Sequence, residues 1–380
     1  MIYLISDAFI PNTAPTNRFL SLIKGFEELD VKYKVVFVKP NREFDKPIGY
    51  SNISYLWNTP IIKNYYIRLI LYLIWSRELY KIKIKKFIRE LTPTDSIVLF
   101  SPIYVHIFLQ NKRNVKIFHE RTEHPYVYNC FNNRKKTNRY INECNQIDGL
   151  FTISETLKKS FVELGTKDSI IHVINMIVDI SRFANLEKTK VNDNYIAYCG
   201  TISNNKDGVD LLIKSFEIVA RENKSIKLYI IGNCPSTIEA AENIQLINEL
   251  KLQRRIIFTG IISAERMPQV LKNAKLLALA RPNSVQAANG FPTKLGEYLL
   301  TKNPVVITNT GDIPLFLKDK ENALLVEPGN IKEFADKIIW ALNNPNESIM
   351  IGLKGAEIAY KHFNNIIEAQ KMYDIICHKD

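Results

Sequence analysis

The densest chemistry in the 380-residue sequence lies in Gln286-Ala-Ala-Asn-Gly-Phe-Pro-Thr-Lys-Leu-Gly-Glu-Tyr-Leu299. Gly290 permits a sharp turn there, and Pro292 suits the first turn of a helix. Lys294 would project from that turn, where free helix N–H groups also point, so the segment can hold a phosphate or diphosphate. Glu297 falls one turn later on the same face, where a carboxylate can accept two neighbouring hydroxyls such as a ribose diol. An ordinary surface Lys–Glu pair has the same spacing. A second candidate is Tyr195-Ile-Ala-Tyr-Cys-Gly-Thr201, followed by Lys206 and Gly208. Gly200, directly after a strand, lets the backbone approach a ligand, and Lys206 adds a mobile positive charge.

The first half of the chain offers a different set. The strand expected at Val115–Phe118 runs into His119-Glu-Arg-Thr-Glu-His-Pro125. A histidine or carboxylate at a strand's carboxyl end can bind a hydroxyl or take its proton, which makes His119, Glu120, Glu123 and His124 candidates. A solvated polar loop is the alternative. Asn17 and Arg18 are expected to open the helix after the first strand. They would belong to a loop closing on an anion or acceptor, or be an N-cap with a surface arginine. His106 and His172 read as structural.

The elements that must position these residues form two series. Short β-branched runs at Ile2–Ile5, Val35–Val38, Ile97–Phe100, Val115–Phe118 and Leu150–Ile153 alternate with helical patterns such as Arg18–Leu29 and Glu155–Leu164. Near-continuous apolar strands predict burial on both faces and a parallel sheet. The polar stretch 185–194 breaks the series and is the expected linker. Strands at Ile196–Cys199, Leu228–Ile231, Ile256–Thr259, Leu276–Leu279 and Val305–Thr308 follow, separated by helices. The chain is therefore expected to hold two Rossmann-like βαβ domains, 1–184 and 195–359. A last helix at about 360–380 is a candidate to pack back on the first. Ligands of such sheets bind beyond the carboxyl ends of strands, which predicts an interdomain cleft.

Composition narrows the function. Apolar residues make up 46% and charged residues 24%, which excludes disorder, collagen and coiled coil. The net charge of +12 is uneven. Up to Phe183 there are 27 basic against 17 acidic residues, and beyond it 24 against 22. Much of the excess sits in Lys63–Arg89, where eight basic residues face one acid, Glu78, around Tyr65-Tyr-Ile-Arg-Leu-Ile-Leu-Tyr-Leu-Ile-Trp75. Such a stretch suits a helix lying in a membrane interface, a core helix with lysines facing water, or an RNA-binding surface. Five cysteines without metal-ligand spacing predict reduced thiols in the cytoplasm. The opening Met-Ile-Tyr-Leu-Ile-Ser-Asp-Ala-Phe lacks signal-peptide features, and no apolar run is long enough to span a bilayer.

Gly290-Phe-Pro-Thr-Lys-Leu-Gly-Glu-Tyr-Leu299 followed by Pro304-Val-Val resembles the donor-site signature of family 4 retaining glycosyltransferases (glycosyl transferases group 1), which have the GT-B fold. Tyr198-Cys-Gly-Thr201 with Lys206-Asp-Gly208 resembles the first strand and loop of that family's donor domain. Phe258-Thr-Gly260 with Met267–Lys275 resembles its base-binding edge. Asp148–Ser154 and the stretch from Asn175 to Phe183 resemble the end of its acceptor domain. The resemblance implies a retaining hexosyltransferase that moves a sugar from a nucleoside diphosphate sugar to a hydroxyl, without metal or cofactor. It implies a donor site of Asn17, Arg18, Gly200, Thr201, Lys206, Gly260, Asn289, Gly290, Phe291, Pro292, Thr293, Lys294 and Glu297. Catalytic roles would fall to His119, Glu123, His124, Lys206 and Lys294. The expected acceptor is a lipid-linked or growing polysaccharide of a bacterial cell surface, with an anionic membrane surface and no nucleic acid as partner. That describes a cytoplasmic protein peripheral at the inner face of the plasma membrane. Two positions depart from the family. Asn289 stands where a first glutamate is common, and Thr201 where an arginine is usual. A nucleotide-sugar epimerase of the same fold and a non-catalytic sugar-nucleotide scaffold are the rival expectations.

Overall fold

The computed structural model describes residues 1–7, 13–39, 52–56, 64–74, 79–112, 114–127 and 133–377. Within them the apolar runs become strands. The first series gives β1 (Ile2–Ser6), β2 (Tyr33–Phe37), β3 (Ile53–Tyr55), β4 (Ser96–Leu99), β5 (Lys116–Arg121), β6 (Gly149–Thr152) and β7 (Ile171–Val173). They form one parallel sheet in the order β3-β2-β1-β4-β5-β6-β7. The second gives β8 (Tyr195–Cys199), β9 (Lys227–Ile231), β10 (Ile256–Gly260), β11 (Leu276–Leu279), β12 (Val305–Thr308) and β13 (Leu324–Val326). They form a parallel sheet in the order β10-β9-β8-β11-β12-β13. β6, β11 and β12 are buried at every position, as strands covered on both faces must be. Both sheets reverse their strand order once, between β1 and β4 and between β8 and β11. Such a switch point opens a crevice beyond the strands' carboxyl ends.

The chain divides into two compact units. One comprises Met1–Asn17, Ile23–Ile174 and the chain from Ala369; the other comprises Arg18–Leu22 and Asn175–Glu368. The change at Ile174/Asn175 comes ten residues before the boundary expected at 184. Asn175 is held by Glu368, which accepts its backbone N–H at 2.8 Å, and Val178 bridges to Asn364. The expected linker 185–194 is not free either. Thr189 N–H donates to Asn273 Oδ1 at 2.9 Å, Lys188 Nζ donates to the Ala274 carbonyl, and Asp193 pairs with Lys227 at 2.8 Å. Its polar side chains read as a tether because they make polar contacts along the second unit's surface.

Candidate donor site and its counterpart in the first unit

In the second unit the switch pair is β8 and β11, and the candidate residues gather where these strands end. The phenol of Tyr298 fixes the helix Lys294–Leu300 to β8: it accepts the Cys199 N–H at 2.6 Å and donates to the Cys199 carbonyl at 3.3 Å. Four residues earlier, one helical turn away, Lys294 is thereby carried over Gly200. A Cβ on Gly200 would overlap the Lys294 ammonium, so only glycine admits this approach. Lys294 Nζ also lies 5.0 Å from the centre of the Tyr198 ring.

The Lys294 ammonium pairs with Asp207, which the short helix Asn204–Asp207 presents. That helix ends on Gly208, left-handed at φ 65°, where a Cβ would strike the Ala280 carbonyl oxygen. Asp207 is buried, accepts the Tyr198 hydroxyl at 2.7 Å, and has Arg281 Nε 4.0 Å from its other oxygen. Burial works to raise its pKa, but Lys294, Arg281 and the hydrogen bonds from Lys294 and Tyr198 prevail and hold the carboxyl below its ordinary value. The Tyr198 phenol is pushed well up by burial and by Asp207, and the Cys199 thiol is pushed up to about 12, chiefly by burial. Tyr198 and Cys199 are therefore neutral, and Asp207 is charged. Lys206 is half-buried on the same short helix, and Glu239 holds the start of that helix by accepting the Asn204 N–H at 2.9 Å. Two cations, Lys294 and Arg281, share Asp207, and that local excess suits an anion.

Glu297 faces Arg182, whose Nη1 donates to it at 2.5 Å while Nη2 donates to the Ala264 carbonyl at 2.9 Å. Gly260 ends β10 with φ 71° and open space around it, and Thr201 is exposed. Asn289 ends the helix Val285–Asn289 and donates its amide to Val285 O of the same helix at 3.0 Å.

Several expectations need correction. Gly290 makes no turn that requires glycine: its φ of −89° suits any residue, and its carbonyl accepts from Arg281 at 3.0 Å. Phe291 is a core residue, its ring 5.7 Å from Phe316 and 5.3 Å from Phe363. Pro292 is buried and Thr293 precedes the helix without a side-chain cap. Asn17 is no N-cap, because the helix begins at Ala14 with a proline in its first two positions, and Asn17 N–H already bonds Thr13 O at 2.9 Å. Arg18 is buried and donates to the Asn175 carbonyl at 2.7 Å, within the same compact unit.

The largest correction lies in the first unit. β5 does not stop at Phe118 but pairs with β6 through His119, Glu120 and Arg121. His119 is fully buried, with Nδ1 2.6 Å from the Leu99 carbonyl and Nε2 2.8 Å from the Tyr140 hydroxyl. Burial and then Arg121 push its pKa down to about 3 against the opposing pull of the Leu99 carbonyl. Both ring nitrogens are occupied and the ring is neutral, so His119 cannot reach an acceptor. His124 is buried, with its pKa lowered by burial and Arg121, and its ring sits 4.9 Å from that of exposed Tyr126. Tyr126, Asn133, Arg134, Asn138, Glu163 and Leu164 line an open cavity of about 580 Å³. Glu123 is half-buried, its carbonyl 3.4 Å from an Arg121 nitrogen. The loop 8–12 and Cys130 lie outside the described residues.

Four residues of the site were not foreseen: Arg281, Asp207, Arg182 and Tyr298. Tyr298 carries a signal, standing four residues after Lys294, and Asp207 sits between Lys206 and Gly208. Arg281 follows β11 with no pattern around it. Among the described residues no group of three or more His, Cys, Asp or Glu is placed to hold a metal ion.

Comparison with known proteins places this architecture. The two parallel-sheet domains are those of GT-B glycosyltransferase structures. HepE of Anabaena, solved with UDP and glucose, superposes with a TM-score of 0.77 over 100% of this chain and 99% of its own, at 17% identity. A mutant TarM of Staphylococcus aureus, solved with fondaparinux, alpha-GlcNAc-glycerol and UDP, gives 0.75 over 99% of each chain at 14% identity. In sequence, residues 193–344 match the family model described as glycosyl transferases group 1. The poly(ribitol-phosphate) alpha-N-acetylglucosaminyltransferase of Staphylococcus aureus (strain COL) is 25% identical over 244 residues. That match covers 64% of this chain and 45% of the relative, so less than half of the curated protein is represented.

Proposed function

We propose that this chain transfers a hexose from a nucleoside diphosphate sugar to a hydroxyl acceptor in the synthesis of a cell-surface glycan, with retention of anomeric configuration. One observation carries the reading: Lys294 and Arg281 both lie against Asp207 at the carboxyl end of the switch pair, with the Lys294 ammonium drawn over Gly200 and Lys206 next to Asp207 in the chain. Charge that develops on a departing diphosphate would be met by these cations without help from a metal. Glu297 would receive the ribose hydroxyls, and Gly260 would leave room for the base. The match of residues 193–344 and the UDP in both solved relatives support this assignment. In the first unit, half-buried Glu123 is the candidate to contact an acceptor, three residues before Tyr126 and the cavity that it lines.

The test is calorimetry of UDP and uridine against wild type and Lys294→Ala. Loss of a charge-assisted phosphate contact should weaken UDP roughly ten- to a hundredfold and leave uridine nearly unchanged. Equal UDP affinities in the two proteins would remove Lys294 from the diphosphate. Transfer itself is followed by release of UDP from UDP-sugars that depends on added acceptor and persists in EDTA, with the product anomer read by NMR.

A further inference from the structure

The helix Tyr65–Ile74 in the first unit presents apolar side chains to solvent along its length. Tyr66 is 74% exposed, Ile67 49%, Leu69 42%, Ile70 56% and Leu73 52%. None of the side chains described on this helix is buried, so the core-helix expectation fails for them. Such a contiguous apolar strip is uncommon on a surface that meets only water. The helix Tyr80–Glu90 starts six residues after Ile74, hence within about 20 Å of it. It anchors through buried Ile84 and Ile88, and Phe87 meets Tyr3 edge-on at 5.3 Å. Its other side shows Lys83, Lys85, Lys86 and Arg89 to solvent, with Ile82 59% exposed among them. Lys63, Trp75, Arg77, Glu78 and the Arg68 side chain lie outside the described residues.

We propose that these two helices form a docking surface for an anionic lipid bilayer, Tyr66, Ile67, Leu69, Ile70 and Leu73 entering the interface and Lys83, Lys85, Lys86 and Arg89 meeting the headgroups. Charge decides the occupant. A second copy using the same face would bring like charges together, whereas anionic headgroups match them. Geometry decides the mode. The described residues Tyr65–Ile74 measure about 15 Å, and their exposed apolar side chains suit a helix lying along the surface. No described helix is long and apolar enough to span a membrane. The two helices belong to the first unit and the candidate donor cluster to the second, and vesicle binding is read without nucleotide.

The experiment is co-sedimentation of the full chain with phosphatidylcholine vesicles, with and without phosphatidylglycerol, at low and high salt. Binding should need phosphatidylglycerol and fall with salt. Each lysine near the headgroups contributes roughly fivefold, so Lys83→Gln, Lys85→Gln and Lys86→Gln together should cost about a hundredfold. Ile67→Ser with Ile70→Ser and Leu73→Ser should abolish the salt-resistant part, while circular dichroism and UDP affinity match wild type. Failure of the wild type to sediment with phosphatidylglycerol at low salt overturns the proposal. So does equal binding to neutral vesicles, or a solution dimer that the Ser variant dissociates.

Discussion

Two strand ends in this molecule carry dense polar chemistry, and they behave in opposite ways. β8 stops at Cys199, and the chain leaves the sheet at Gly200; what gathers there stays charged and in part reachable. β5 carries its polar residues inside the sheet, paired to β6 as far as Arg121, and its histidine is sealed and neutral. Polar density at a strand's end is thus no guide to reactivity. Where the hydrogen-bonded ladder stops decides whether a side chain meets solvent or becomes part of the core.

The sharpest way to break the contrast is to remove the one carboxylate of the β8 cluster. Asp207→Ala would leave Arg281 and Lys294 as neighbouring cations in a largely buried place. Breaking a buried pair in this way costs about 3–5 kcal/mol, or roughly 10 °C in the melting temperature of a unit this size. The double change Asp207→Ala with Lys294→Met should lose less than Asp207→Ala alone, because the penalty comes from uncompensated charge. Thermal unfolding of the three proteins checks it. A single change as mild as a surface substitution would mean that the cluster is open to water.

At β5 the corresponding handle is pH. His119 has a pKa of about 3 folded and 6.5 as its ordinary value, so the unfolded chain binds the extra proton. Its contribution is complete above about pH 6.5 and is lost as pH falls toward 3, at up to roughly 1.4 kcal/mol per unit. Asp207, held below its ordinary value, gives stability that is present above about pH 4 and lost only below it. The windows separate. Urea unfolding at pH 7 and pH 5 should show about 2 kcal/mol less stability at the lower pH from His119, a share that His119→Gln removes while those of His124, His172 and His362 remain. Equal slopes in the two proteins would mean that the ring is already exposed.

Tyr298→Phe tests how the β8 cluster is held together. The hydroxyl accepts the Cys199 N–H inside the protein, and its loss leaves that donor unpaired, at a cost of about 1–2 kcal/mol. UDP affinity should drop with it, since Lys294 rides on the same helix. Unchanged UDP affinity with lowered stability would separate the two roles.

Much of this was legible beforehand, and the exceptions have physical causes. The strands that the pattern misses, β3, β7 and β13, are three-residue edge strands, too short for alternation or apolar runs to register. Lys294 and Glu297 stand out because one helical turn separates them, but their partners Asp207 and Arg182 are 87 and 115 residues away. No local spacing links such residues; only the sheet order does. His119 misleads for a related reason. His119, Glu120 and Arg121 break the apolar run that marks the strand, and cross-strand pairing with β6 carries the ladder through them all the same.

The smallest expected effect bears on the donor site most directly. Arg182 and Glu297 are both partly buried, joined at 2.5 Å, and Arg182 is held from behind by the Ala264 carbonyl. A double-mutant cycle with Arg182→Met and Glu297→Gln should therefore show a coupling of about 1 kcal/mol in unfolding without nucleotide. If Glu297 turns to the ribose hydroxyls when a nucleotide binds, one carboxylate must serve both partners. The coupling measured in saturating UDP should then shrink, whereas saturating 2′,3′-dideoxy-UDP should leave it intact. The same coupling in both ligands would keep Glu297 as a purely structural partner of Arg182 and move ribose recognition elsewhere on the second sheet.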